Sequence, residues 1–240
     1  MSRGIIMTKS IIGLIGAGCL GEALMHRFSV SCKYEYLVCD ICEEKALKVS
    51  ECTGSTMSSI DSMVKHADYI FMALPMAIIE EFIIKYENKF KSNCVLINLS
   101  TSLNTLDLQK KIHRSDLEVI GMKPVCQASA LKLGGTCVFY SSSSKSKHLD
   151  VVKNILKPLG KVFVGDEMLV SKINEYATLC SLELIIKLEK YLKSLGVDDE
   201  VKKAAVVTVA GGTLMDYPYN SDNFNDYIKN LVEKYQLELC

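Results

Sequence analysis

Three glycines, Gly16, Gly18 and Gly21, stand in the spacing G-x-G-x-x-G between an apolar run and a helical pattern, and that spacing can seat a pyrophosphate. Gly16 permits a tight turn, Gly18 lets the backbone approach the phosphates, and Gly21 lets a helix pack closely on its strand. The loop Gly16, Ala17, Gly18, Cys19, Leu20 and Gly21 would thus set an anion at the positive end of a helix. Asp40 follows about 20 residues later, where a carboxylate accepts from ribose hydroxyls. Its charge would repel a 2′-phosphate, so NAD is the expected cofactor and NADP the possible one. Capping of the next turn is the competing role for Asp40.

Other candidates stand at the ends of later apolar runs. Ala73, Leu74 and Pro75 close one such run and would form a wall beside the cofactor. Ser100 and Thr101 close the next and could touch a nicotinamide or substrate. For Ser102 and Asn104, capping of a following helix is the preferred role. Lys123 has two readings, a proton donor or anion anchor in the crevice, or a solvated lysine before a turn. Cys39 and Cys42 form a C-x-x-C, but no second pair follows at zinc spacing and Cys39 belongs to a strand, so no metal site is expected.

The elements that must position these residues alternate. Strands are expected over Ile11 to Ile15, Tyr36 to Cys39, Tyr69 to Leu74, Cys94 to Leu99, Leu117 to Met122, Thr136 to Tyr140 and Lys161 to Val164. Helical patterns separate most of them. From Glu167 onward the reading is helical: Leu169 to Leu195, a stop at Gly196, Asp198 as N-cap, and Glu200 to about Met215. Tyr217-Pro218-Tyr219-Asn220 breaks that helix, and a final one runs from Asn223 to Leu237. This is an α/β fold, a doubly wound Rossmann sheet over residues 1–165 followed by a small all-helical domain over 166–240.

Composition sets the outer bounds. With 240 residues, 49% of them hydrophobic, the chain can bury a sizeable core. Lys and Arg number 28 against 28 Asp and Glu, without a basic block, which argues against nucleic acid or an anionic membrane as partner. No apolar run reaches the roughly 18 residues of a membrane span, and no signal peptide opens the chain, so a cytoplasmic protein is expected. Its 10 Cys are then expected to remain thiols.

Ile-Gly-Leu-Ile-Gly-Ala-Gly-Cys-Leu-Gly-Glu-Ala-Leu, Ala-Asp-Tyr-Ile-Phe-Met-Ala-Leu-Pro and Val-Leu-Ile-Asn-Leu-Ser-Thr-Ser, followed by a helical tail, resemble the 6-phosphogluconate-dehydrogenase-like superfamily. Length and order are most similar to the pyrroline-5-carboxylate reductases. The resemblance implies a helical domain that forms a homodimer, and hydride delivered from a nicotinamide to a small cyclic imine or carbonyl. The chain has Leu74-Pro75 where that family has Lys-Pro. A second branch, the β-hydroxyacid dehydrogenases, is resembled by Lys123-Pro124-Val125, Gly134-Gly135-Thr136 and Lys172-Ile173-Asn174. It implies Lys172 as general acid or base, with Tyr176 one turn on; an ordinary surface lysine is the alternative. A dinucleotide-binding sensor without catalysis is the reading from another functional class.

Overall fold

The computed structural model describes residues 9–220 and 229–230. The chain divides into two compact units, Met1–Glu175 and Tyr176–Cys240. The expected final helix from Asn223 to Leu237 lies outside the described residues.

The first unit is built on a six-stranded parallel sheet in the order β3-β2-β1-β4-β5-β6. Its strands are β1 (Ile11–Ile15), β2 (Glu35–Cys39), β3 (Thr56–Met57), β4 (Tyr69–Met72), β5 (Val95–Asn98) and β6 (Glu118–Gly121). That order is the doubly wound arrangement, in which the strand sequence reverses between β1 and β4 and opens a crevice beyond their carboxyl ends. Every residue of β4 and β5 is buried, as a strand covered on both faces requires.

Helices α1 (Cys19–Phe28), α2 (Glu43–Thr53), α3 (Ile60–His66), α4 (Met76–Tyr86) and α5 (Thr105–Lys110) connect the strands, with a 3₁₀ turn at Glu87–Lys89. Asn104 caps α5, its side chain accepting from the Asp107 N–H at 3.1 Å, and Ser59 caps α3 in the same way. Phe28 and Phe71, with centroids 5.0 Å apart, fix α1 on the sheet.

The later strands leave this sheet. β7 (Lys123–Val125), β8 (Cys137–Ser141) and β9 (Gly160–Val164) make a separate three-stranded sheet, antiparallel between β7 and β8 and parallel between β8 and β9. The turn expected at Lys123-Pro124 is therefore a strand. Pro124 is accommodated because β7 is an edge, where a missing N–H leaves no ladder bond unmade. Helices α6 (Ala128–Lys132) and α7 (Leu149–Leu156) complete this part. Gly160 has φ 153°, and a Cβ there would lie 1.8 Å from the Cys137 carbonyl oxygen, so only glycine can open β9.

Helix α8 (Leu169–Ser194) begins in the first unit, where Val170 is fully buried, and continues into the second. Gly196, at φ 68°, ends that run. Asp198 stands at the N-cap of α9 (Asp199–Ala204), a π-helical segment spans Ala205–Ala210, and α10 covers Gly211–Asn220. The break expected at Tyr217-Pro218 does not occur. The helix continues to Asn220 without the one backbone bond that proline cannot donate.

Candidate functional site

The glycine loop turns as its spacing requires. Gly16 has φ 99°, and a Cβ on it would meet the Ala73 carbonyl oxygen at 2.3 Å, so the turn after β1 closes directly against the end of β4. A Cβ on Gly21 would lie 1.8 Å from the Gly16 oxygen, which is the tight packing of helix on strand. Gly18 differs. It is exposed, its φ is an ordinary −71°, and a Cβ there would meet nothing within 4 Å. The fold leaves Gly18 open, so no contact among the described residues demands a glycine there. Among the described residues no side chain caps α1, and a helix start left uncapped can receive an anion.

Asp40 is tied into this loop. Its Oδ2 accepts from the Ala17 N–H at 2.6 Å and its Oδ1 from the Cys42 N–H at 2.8 Å. The carboxylate thus caps the turn after β2 and also clamps the glycine loop. A carboxylate keeps lone pairs beyond these two bonds for a ribose hydroxyl.

A cavity of about 430 Å³ opens at the carboxyl ends of β1, β4 and β5. Cys19 and Leu20 of α1 line it on one side, and Ala73, Leu74 and Pro75 form a second wall. Ser100, Thr101 and Ser102 line a third, and Pro124, Cys126 and Gln127 a fourth. Asn174 completes it from α8 and donates from Nδ2 to the Pro124 carbonyl at 2.9 Å.

The serine wall is held from inside. Asn98, fully buried at the end of β5, accepts on Oδ1 from the Ser100 N–H at 3.1 Å. Its Nδ2 donates to the Leu103 carbonyl at 3.0 Å and to Thr105 Oγ1 at 3.2 Å. Ser100 therefore has its backbone fixed by Asn98.

The two lysines lie elsewhere. Lys123 is neither solvated nor open to the cavity: it is completely buried, its Nζ donating to the Leu103 carbonyl at 2.8 Å and lying 3.8 Å from Glu167 Oε1. Burial pushes its pKa down to about 8, against the pull of Glu167. Glu167 Oε1 also accepts from the Thr105 N–H at 2.8 Å, while its Oε2 has no hydrogen-bond partner among the described residues. Gly121 makes room, since a Cβ on it would meet that Oε2 at 1.9 Å.

Lys172 is exposed and absent from the cavity lining, and Tyr176 is exposed too. Helix geometry explains this. Val170 faces inward, Asn174 lies one turn on and shares its side, and Lys172, two residues from each, points away.

Asn98, Cys126, Glu167 and Asn174 are the polar residues that sequence reasoning missed. Asn98 and Asn174 had a signal, as the polar members of otherwise apolar, inward-facing positions. Cys39 is buried, with burial pushing its thiol up to about 12, so it offers no attacking thiolate. Among the described residues no three His, Cys, Asp or Glu gather as a metal site would require. No helix among them is long and apolar enough to cross a membrane.

A doubly wound sheet with an uncapped, glycine-opened helix at its switch point defines a dinucleotide-binding protein. The sequence profile of the NAD-binding domain of 6-phosphogluconate dehydrogenase matches residues 11–170, and the chain belongs to that family of NAD(P)-binding oxidoreductases. No curated protein sequence matches it. Solved structures share the fold at low identity. A pyrroline-5-carboxylate reductase from Coxiella burnetii superimposes with a TM-score of 0.70 at 15% identity, covering 97% of this chain and 93% of that one. An imine reductase from Pseudomonas sp. gives 0.63 at 14%, covering 90% and 77%. The 3-hydroxyisobutyrate dehydrogenase of Mycobacterium tuberculosis gives 0.61 at 14%, covering 84% and 70%.

Proposed function

We propose that this chain binds a nicotinamide dinucleotide across the ends of β1 and β4 and reduces a small imine or carbonyl in the adjoining cavity. The observation that carries this reading is the continuity of the cavity with the glycine loop: Cys19 and Leu20, the first residues of α1, line the same space as Ser100, Thr101 and Asn174. The loop Gly16 to Gly21 would hold the pyrophosphate, Asp40 the adenosine ribose, and Ala73 to Pro75 the nicotinamide wall. The nicotinamide would supply hydride. Ser100, Thr101 and Ser102 would orient the substrate and donate hydrogen bonds to the reacting nitrogen or oxygen, and Asn174 would fix the far side. NAD is preferred to NADP on the charge of Asp40.

Exposed apolar residues on the second unit, among them Leu179, Leu182 and Ile186 of α8, support a homodimer, which light scattering on the intact chain would read. Nine free thiols among the described residues fit a reducing, cytoplasmic setting.

A non-catalytic, nucleotide-sensing role is the second reading. It draws on the burial of Lys123 and the exposure of Lys172, which leave no lysine among the described residues that line the cavity. Both positions also count against the β-hydroxyacid-dehydrogenase alternative. Calorimetric titration with NADH and NADPH, followed by an oxidation assay over cyclic imines and keto acids, separates the readings. Binding with turnover identifies an enzyme, binding without turnover identifies the sensor, and failure to bind either nucleotide overturns both.

A further inference from the structure

Strand register brings two cysteines together at the edge of the cavity. β7 and β8 run antiparallel with Pro124 opposite Phe139 and Val125 opposite Val138, and Cys126 and Cys137 are the next residues beyond that last pair. Directly opposed residues of such a ladder have Cα atoms about 4.5 to 5.5 Å apart, so two residues one step past its last pair leave it near the span a disulfide bridges. Cys137 lies against the end of β7, its Sγ 3.9 Å from the carbonyl oxygen of Val125, the residue before Cys126.

The two differ in access. Cys126 is partly exposed and lines the cavity, whereas Cys137 is buried and does not line it. The neighbouring Cys137 thiol holds Cys126 below its usual range, while the Cys126 thiol and burial push Cys137 up. Among the described residues, exposed Cys19, Cys32, Cys52 and Cys180 have no cysteine across a strand from them, and buried Cys39 faces Ile15.

We propose that Cys126 and Cys137 form a thiol modification site in which Cys126 attacks a small disulfide entering the cavity and Cys137 resolves the adduct. In the first step the Cys126 sulfur bonds one sulfur of the reagent, the reagent S–S bond breaks, and the departing thiolate takes the Cys126 proton. In the second the Cys137 sulfur bonds Cys126 Sγ, the mixed disulfide breaks, and the second thiolate leaves with the Cys137 proton. Two protein thiols are oxidised and one small disulfide is reduced to two thiols. The mixed disulfide occupies the cavity while it lasts, and the internal disulfide draws the Cys126 sulfur toward Cys137.

The test treats the reduced, full-length chain with 2-hydroxyethyl disulfide, quenches with N-ethylmaleimide and maps the peptides by mass. A linked Cys126–Cys137 peptide is expected, with only mixed adducts at exposed Cys19, Cys32, Cys52 and Cys180. Cys137→Ala should arrest the reaction as a stable hydroxyethylthio adduct on Cys126. Cys126→Ser, which leaves the core intact, should yield no adduct or link at Cys137. Modification of the exposed cysteines with no linked peptide would overturn the proposal, as would an unresolved adduct on wild-type Cys126. The readout is a peptide mass, so a chain that binds no nucleotide can still pass it, and the two inferences fail separately.

Discussion

Lys123 and Glu167 face each other across 3.8 Å inside the first unit, and neither side chain is more than 2% exposed. Together they hold both ends of the turn that follows the serine wall, Lys123 through the Leu103 carbonyl and Glu167 through the Thr105 N–H. Lys123→Met leaves Glu167 buried and unpaired and should destabilise the chain by about 3–5 kcal/mol. Lys123→Met with Glu167→Leu should recover most of that loss. Urea unfolding of the single and double variants decides the matter, and a double variant no more stable than the single would refute the pairing.

The same lysine gives a pH signature. Its folded pKa of about 8 lies below the usual value of 10.4 for an unfolded chain, so between those limits the unfolded chain binds more protons. Stability should therefore rise with pH from about 8 to about 10.4, by up to ~1.4 kcal/mol per pH unit, with the full burial penalty standing below pH 8. The signature is the difference between wild type and Lys123→Met, measured by denaturant unfolding across that window. Parallel curves would place Lys123 in water.

Gly18 and Gly21 should separate binding from folding. Gly18→Val introduces a side chain into open space, so stability should change by no more than about 1 kcal/mol while nucleotide affinity is lost. Gly21→Ala drives a methyl into the Gly16 carbonyl and should cost about 1–3 kcal/mol or more before any ligand is added. Thermal unfolding and calorimetric titration of both variants give the comparison; retained affinity in Gly18→Val would remove the phosphate from that loop.

The proposed ribose contact of Asp40 adds to its hold on two backbone amides, so its variants should show two effects. Asp40→Ala releases the Ala17 and Cys42 amides, for about 1–3 kcal/mol of stability, and should narrow the preference for NAD over NADP. Asp40→Asn keeps one acceptor and should lose less stability while losing the charge discrimination. An unchanged ratio of NAD to NADP affinity in both would leave Asp40 a structural residue alone.

Two neighbours on α8 should respond in opposite ways. Asn174→Ala opens the cavity wall and frees the Pro124 carbonyl, and should weaken turnover or cofactor affinity at least severalfold. Lys172→Ala, on the exposed side, should leave both unchanged. Kinetics or titration of the pair will tell; a large loss with Lys172→Ala would return the lysine to the reaction.

What could be read from the sequence follows from how local its physics is. The glycine loop, β1 and Asp40 are specified within about thirty residues by turn chemistry and apolar runs, and the strand order follows from the connection rules of the fold. Lys123 could not be placed in that way. A lysine after a strand looks solvated until Glu167, far along the chain, arrives to neutralise it and Gly121 gives up its side chain to make room. β7 was hidden by Pro124, which signals a turn unless the strand is known to be an edge. Lys172 matched a motif by type and spacing, but the phase of α8 turns Asn174 inward in its place.

The clamp between Asp40 and Ala17 has a dynamic consequence. An amide bonded to a carboxylate at 2.6 Å does not exchange freely with solvent, so Ala17 should be protected from hydrogen exchange in the nucleotide-free chain, while the exposed Gly18 amide beside it exchanges quickly. The loop then meets its ligand already shaped. Little ordering entropy remains to oppose the phosphate, and the change on binding should be confined to the amides at the start of α1.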